Sequence, residues 1–414
     1  MTWTDQAIFW HIYPLGFCGA PIRESHGTPQ PRLRRLLNWL DYAVRLGASG
    51  LLLAPIFTSQ THGYDTLDPF SIDPRLGTEQ DFSDLVAACQ ERGLRIVLDG
   101  VFSHVGSGHP WYRADLRAGR EANRTLFDID WETHPPRPRV FEGHQGLVRL
   151  NHAGEPARRF AADVMTYWLD RGIDGWRLDA AYSVPRDFWA DVLGRVRRSH
   201  PEAWFLGEVI HGDYAAFVRE STADTVTEYQ LWKAIWSSIR ERNFWELRWA
   251  LTRLDERLDT FVPQTFVGNH DVTRIASEVG RDGEFLAVAI LMTIAGIPSV
   301  YYGDERGLQA VKGRGRGSDD PLRPAYPDDP GELGHDGDEI FRAHQDLIGL
   351  RRRHPWLTRA RTEITALTTT HIAYTSAAAD HEMRLTVELD VGNGHHAVIR
   401  EADGTVLWQW HAGG

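Results

Sequence analysis

Lysine is almost missing. Only Lys233 and Lys312 stand among 45 basic residues; the rest are arginine, which we read as genome composition rather than function. Positive charge is also outnumbered: 57 acidic residues leave a net charge of −12, which argues against a nucleic-acid backbone or an anionic membrane as the main partner. A small neutral molecule is not excluded. There are two cysteines, Cys18 and Cys89, too far apart to form a disulfide framework or a metal-ligand spacing, so they read as core residues. No apolar run is long enough to span a membrane. The opening MTWTDQAIFW has no basic start followed by an apolar stretch, so no signal peptide is expected and cytoplasm is the expected location. EF-hand, HExxH and Cys/His zinc patterns are missing as well.

What is present is a chain of 414 residues, 42% hydrophobic, ample for a large core. Short β-rich runs alternate with helical patterns: 7–13, 49–57, 94–102, 173–180, 203–210, 223–229, 260–269 and 297–305. Between them, Leu33, Leu36, Leu37, Leu40 and Val44 recur at helical spacing, as do Phe82, Leu85, Val86 and Cys89, and Phe160, Val164 and Trp168. Eight strands separated by helices predict an α/β fold, a closed (β/α)8 TIM barrel, with a doubly wound sheet as competitor. Residues 104–152 are rich in His, Pro, Gly and Arg without helical period and read as an insertion after the third strand. Beyond about residue 355 the period becomes two: Met383, Leu385, Val387 and Leu389 alternate with polar residues, and ADGT (402–405) signals a hairpin. The expected organisation is a barrel of 1–103 and 153–355, a short insertion domain of 104–152, and a C-terminal antiparallel β-sandwich of 356–414.

Barrel sites lie at the C-terminal strand ends, and acids collect there: Asp99, Asp179, Glu208, Asp271, and the pair Asp304-Glu305. In DGWRLDAAY (174–182), alternation puts Arg177 and Asp179 on one face of a strand and Trp176 and Leu178 on the other. Convergent carboxylates suit glycosyl transfer, which needs one ionised nucleophile and one protonated acid, about 5–5.5 Å apart in a retaining enzyme. Arg177 is expected to lower the pKa of Asp179, and the apolar WFLG run to raise that of Glu208.

Seven ordered motifs then carry a resemblance: GYDTLDPFSIDPRLGT (63–78), DGVFSH (99–104), LN (150–151), GWRLDAA (175–181), GEV (207–209), VGNHD (267–271) and AGIPSVYYGDE (295–305). Together they resemble the α-amylase family, glycoside hydrolase family 13, over roughly residues 8–355, with GEVIH (207–211) similar to the cyclomaltodextrinase and neopullulanase group. The resemblance implies a retaining α-glycosidase acting on α-1,4-linked maltooligosaccharides through a covalent glycosyl–enzyme intermediate. Asp179 would be the nucleophile, Glu208 the acid/base and Asp271 the transition-state stabiliser. Arg177 would hold the nucleophile, and His104 and His270 would bind sugar hydroxyls. Tyr64, with Asp65 beside it, would stack on the sugar, and Arg323 in the loop 311–324 would pair with an acid. Asp99 would support the rim. Trp131, Trp204, Trp232 and Trp236 are candidate stacking platforms, weighed against a core role. The rival outcomes are transglycosylation or trehalose-forming isomerisation by the same residues, and a catalytically silent glycan-binding member.

The chain also departs from the family's pattern. Ser103 stands where calcium-dependent members carry Asn, and Tyr182-Ser183 where they carry Lys-His, so no cofactor is expected and no calcium at that position. Ala180 follows the nucleophile where α-1,6-specific members of the family often carry Val, so the resemblance implies α-1,4 bonds. The first strand is expected at the start of the given sequence, so the N-terminal β-domain of the cyclomaltodextrinase-like group is not expected, and nothing in the sequence sets the oligomeric state.

Overall fold

A computed structural model describes residues 2–23, 28–122, 125–315, 317–380 and 382–413. Eight parallel strands form its centre: β1 (Phe9–Ile12), β2 (Gly50–Leu53), β3 (Arg95–Val101), β4 (Gly175–Asp179), β5 (Trp204–Gly207), β6 (Thr225–Val226), β7 (Gln264–Phe266) and β8 (Ile297–Tyr301). Each pairs with the next from β1 to β6, β7 pairs with β8, and β8 pairs with β1. A parallel bridge between Thr227 and Gln264 closes the ring between β6 and β7. All eight apolar runs of the sequence are strands, and the closed barrel, not the doubly wound sheet, is the fold.

The barrel floor is apolar. Phe9, Leu52, Val97, Trp204, Leu206 and Ile297 pack together there, with Phe9 and Trp204 stacked 5.4 Å apart. Trp204 is therefore a floor residue and no sugar platform. Outside the ring, helix α1 (Arg35–Leu46) buries Leu36, Trp39, Leu40, Ala43 and Leu46. Val44, read from the sequence as inward, is 44% exposed. Leu33 lies in a 3₁₀ turn before the helix, so a phase counted from it slips. Helix α2 (Glu79–Glu91) starts at a capping box between Thr78 and Asp81 and buries Phe82, Leu85, Val86 and Cys89. Helix α3 (Glu155–Leu169) buries Phe160, Val164 and Trp168.

After β3, His104–Gly106 pairs antiparallel with Leu147–Arg149. Between them lies a helix the periodicity missed, Pro110–Ala118, which opens on proline and buries only Tyr112 and Asp115. The C-terminal strands β9 (Arg361–Leu367), β10 (His371–Ala377), β11 (Arg384–Asp390), β12 (His396–Glu401) and β13 (Val406–His411) form one antiparallel sheet in sequence order. Leu385, Val387 and Leu389 point into its buried face, while Met383 precedes β11 and is exposed. This sheet packs on helix α4 (Ile275–Thr293): Phe285 stacks on Trp410 at 4.4 Å, and the Thr293 and Tyr374 hydroxyls lie 2.7 Å apart. Among the described residues no helix is long and apolar enough to cross a membrane.

Candidate active site

The register of β3 against β4 sets the site. It places Arg177 opposite Asp99 across the ladder, both pointing into the barrel, while Trp176 turns outward against Phe57 and Phe102. Arg177, 3% exposed, cannot leave its charge unpaired there. One guanidinium nitrogen lies 2.5 Å from Asp99 Oδ2 and 3.4 Å from Asp179 Oδ1; the other lies 2.5 Å from Glu208 Oε1. A single cation thus joins acids from three neighbouring strand ends.

Glu208 has two further donors. The Ala180 N–H donates to Oε2 at 2.8 Å, and the Tyr229 hydroxyl to Oε1 at 3.1 Å. Ala180 reaches its partner because it sits in the left-handed region, φ 45°, a strained position for a residue with a Cβ. Tyr229 in turn accepts from Asn269 Nδ2 at 3.0 Å. Asn269 Oδ1 accepts from the Asp271 N–H at 2.8 Å, so the β6 and β7 ends are joined through side chains.

Asp271 is gripped from two sides, by Arg323 Nη2 at 2.7 Å and His270 Nε2 at 2.9 Å. Burial pushes its carboxyl up, but His270, Arg323 and Arg177 outweigh burial and hold it well below the usual carboxylate range. Asp179 goes the other way. Burial, then the charges of Glu208 and Asp99, push it well above that range, against the opposing pull of Arg177. Arg177 does lower Asp179, as expected, but burial and the two neighbouring acids outweigh it, so the net direction is upward.

Asp179, Glu208 and Asp271 line one cleft of about 1090 Å³, together with Tyr64, His104 and Arg323. Tyr64 lies parallel to the His270 ring at 5.3 Å, with its hydroxyl 3.0 Å from Asp99 Oδ2 and also against His270 Nε2. Asp65 reaches the cleft with both oxygens engaged by Thr61, at 2.9 Å and 2.5 Å, so it braces the loop.

Three expectations are corrected. His270 is fully buried behind Tyr64 and Asp271, with its other nitrogen 3.2 Å from His11 Nε2, and does not present a nitrogen to the cleft. His104 borders the cleft, but its nitrogens face Ser103 Oγ at 2.7 Å and the Tyr64 carbonyl at 3.0 Å. The rim acids Asp304 and Glu305 turn away from the cleft: Asp304 pairs with Arg274 at 2.7 Å, and Glu305 meets Trp10, Tyr42 and Tyr326. Of the four candidate platforms only Trp232 lines the cleft.

Sequence reasoning missed Tyr229, Asn269 as a bracing side chain, and His11. Tyr229 and Asn269 each end a strand run, which is the signal that would have found them, whereas His11 lies inside the first strand. No group of three or more His, Cys, Asp or Glu among the described residues is arranged to hold a metal. The Ser103 hydroxyl is engaged by His104, and that of Ser183 donates to the Ala180 carbonyl at 2.8 Å.

Fold and site define a class: (β/α)8 barrels that gather carboxyl groups from successive strand ends in a single rim cleft. A family model for the alpha amylase catalytic domain matches residues 12–346, and the chain belongs to that family of glycoside hydrolases. It is 29% identical over 386 residues to a cyclomaltodextrinase of Geobacillus thermopakistaniensis (strain MAS1), covering 86% of this chain and 64% of that protein. Neopullulanase 2 of Thermoactinomyces vulgaris is 29% identical over 388 residues, with the same 86% and 64% coverage. The chain thus spans a little under two thirds of the length of these relatives. Among solved structures, the cyclic alpha-maltosyl-(1→6)-maltose hydrolase of Arthrobacter globiformis, in complex with that cyclic sugar, matches with a TM-score of 0.83 and 27% identity over 99% of both chains.

Proposed function

We propose that the chain is a retaining α-glycosidase that cleaves α-1,4 bonds of small, neutral maltooligosaccharides by double displacement. Asp179, as carboxylate, attacks the anomeric carbon while Glu208 gives its proton to the leaving oxygen. Water, deprotonated by Glu208, then displaces Asp179 and restores both groups. The productive cycle begins with Asp179 ionised and the proton on Glu208. Asp271, held ionised by Arg323 and His270, faces the developing positive charge of the sugar. Arg177, Tyr229 and Asn269 are positioning residues.

The observation that carries this reading is the convergence of Asp179, Glu208 and Asp271 on one cleft, with a single buried arginine against the first two. The names of the relatives support α-glucan substrates. A cytoplasmic location is part of the reading, supported by a relative named intracellular maltogenic amylase from Bacillus subtilis, 29% identical over 353 residues. Activity is proposed to need no metal, since the hydroxyls of Ser103 and Ser183 are engaged internally.

The test is a time course of products from maltotriose, a cyclodextrin, pullulan and trehalose, with the first-formed anomer read by NMR. Retention with shorter sugars as products supports the reading; longer products would show transfer to a sugar acceptor. An inverted product would exclude a nucleophilic Asp179.

A further inference from the structure

Loops that border the cleft are tied together by side chains into a wall. Glu208 marks the side on which a leaving group would sit; Tyr229, which donates to it, packs against Trp232, and Tyr182 and Ile210 also line the cleft. The opposite side, around Asp271 and Arg323, is bordered by loops that are chained together. Beyond β8, Asp320 accepts from Arg23 with both oxygens, at 2.9 Å and 3.0 Å from Nη2, with Nε at 3.2 Å. Gly317 at this junction sits at φ 81°, in the left-handed region that favours glycine.

The chain of contacts continues from the segment after β1 to the loop after β2. Arg75, 4% exposed and held by Asp73, donates to the carbonyls of Pro21 at 3.0 Å, Ile22 at 3.1 Å and Thr61 at 2.6 Å. At the other edge Lys312 joins the Asp271 carbonyl, at 2.8 Å, to Asp319, at 3.1 Å. Arg23, Thr61, Asp319 and Asp320 all line the cleft.

We propose that this wall closes the donor end of the cleft, so that the enzyme accepts linear α-glucans by a free non-reducing end and removes short units from it, with Arg23 and Asp320 as specificity-determining residues. The inference rests on the α-glycosidase reading above. In that chemistry the sugar attacked by Asp179 lies on the Asp271 side, with any further units on its non-reducing side running into the wall. The leaving chain, protonated by Glu208, extends the other way. A ring has no end to insert, and a blocked terminus does not fit.

The experiment compares maltoheptaose, maltoheptaose carrying a benzylidene group on its non-reducing terminal sugar, and β-cyclodextrin, each followed by chromatography. We expect the blocked and cyclic sugars to react at least roughly 100-fold more slowly than the free chain. Arg23→Ala and Asp320→Ala should narrow that ratio by roughly tenfold or more, read within each variant. Comparable rates on blocked and free chains would overturn the proposal, as would variants that fold, judged by circular dichroism, and leave the ratio unchanged. If a variant does not fold, the wild-type ratio decides alone. Loss of all turnover on free maltoheptaose would instead sink the glycosidase reading, and this inference with it.

Discussion

Replacing Arg177 by methionine isolates the cation that ties the site together. Arg177 is 3% exposed, and its guanidinium lies 2.5 Å from Asp99, 2.5 Å from Glu208 and 3.4 Å from Asp179. Methionine fills similar space without charge, leaving three buried carboxyls with no shared counter-ion. Removing one member of a buried ion pair costs about 3–5 kcal/mol, and Arg177→Met should lose at least the lower figure at neutral pH. The loss depends on pH with a definite sign. Burial already pushes Asp99 and Asp179 up in the folded state, and Arg177 opposes that rise. Without it their folded pKa values climb further above the unfolded ones. A carboxyl raised on folding binds more protons folded than unfolded, so its contribution to stability falls as pH rises through the folded value. The deficit of the variant should therefore be greatest at neutral and alkaline pH and shrink on acidification. Urea denaturation followed by tryptophan fluorescence, at about pH 5 and about pH 8, measures it directly. A variant as stable as the parent at neutral pH, or a deficit that grows on acidification, would refute the reasoning.

Other expectations follow from the same contacts. Tyr229→Phe removes the 3.1 Å hydroxyl contact to Glu208 and orphans Asn269 Nδ2. It should lower kcat by roughly tenfold with a smaller change in KM, and shift the pH–rate profile; an unchanged profile would make Tyr229 a packing residue only. Burial pushes the thiols of Cys18 and Cys89 up to about 12, so neither should react with a disulfide reagent in the native protein near pH 8, and both should react once unfolded. EDTA should leave activity on maltooligosaccharides unchanged; loss that is restored by calcium would overturn the metal-independent reading.

The barrel was legible because each strand is a continuous apolar run between helical patterns, the signature of strands buried on both faces. Alternation in 174–182 also showed that Arg177 and Asp179 share a face. It could not show their neighbours. Asp99 stands opposite Arg177 through the β3–β4 register, and Glu208 reaches it from β5, so the true partners of the cation come from other strands. Nor could alternation show the burial and the neighbouring acids that outweigh the pull of Arg177 on Asp179. The acids of YYGDE looked equivalent to those of WRLD, yet a left-handed glycine at 303, φ 95°, leads them away from the cleft to Arg274 and to Trp10, Tyr42 and Tyr326. Arg75 gave no signal at all in sequence, since its role lies in carbonyls contributed by two separate loops.

The division of labour between Asp179 and Glu208 is tested most directly by trapping. A 5-fluoro-α-glucosyl fluoride reacts with the nucleophile but forms an intermediate that turns over slowly, and peptide mass spectrometry then locates the attached sugar. The label is predicted on the peptide bearing Asp179, accumulating in the parent and lost in Asp179→Asn. A label on Glu208 or Asp271 would contradict the assignment.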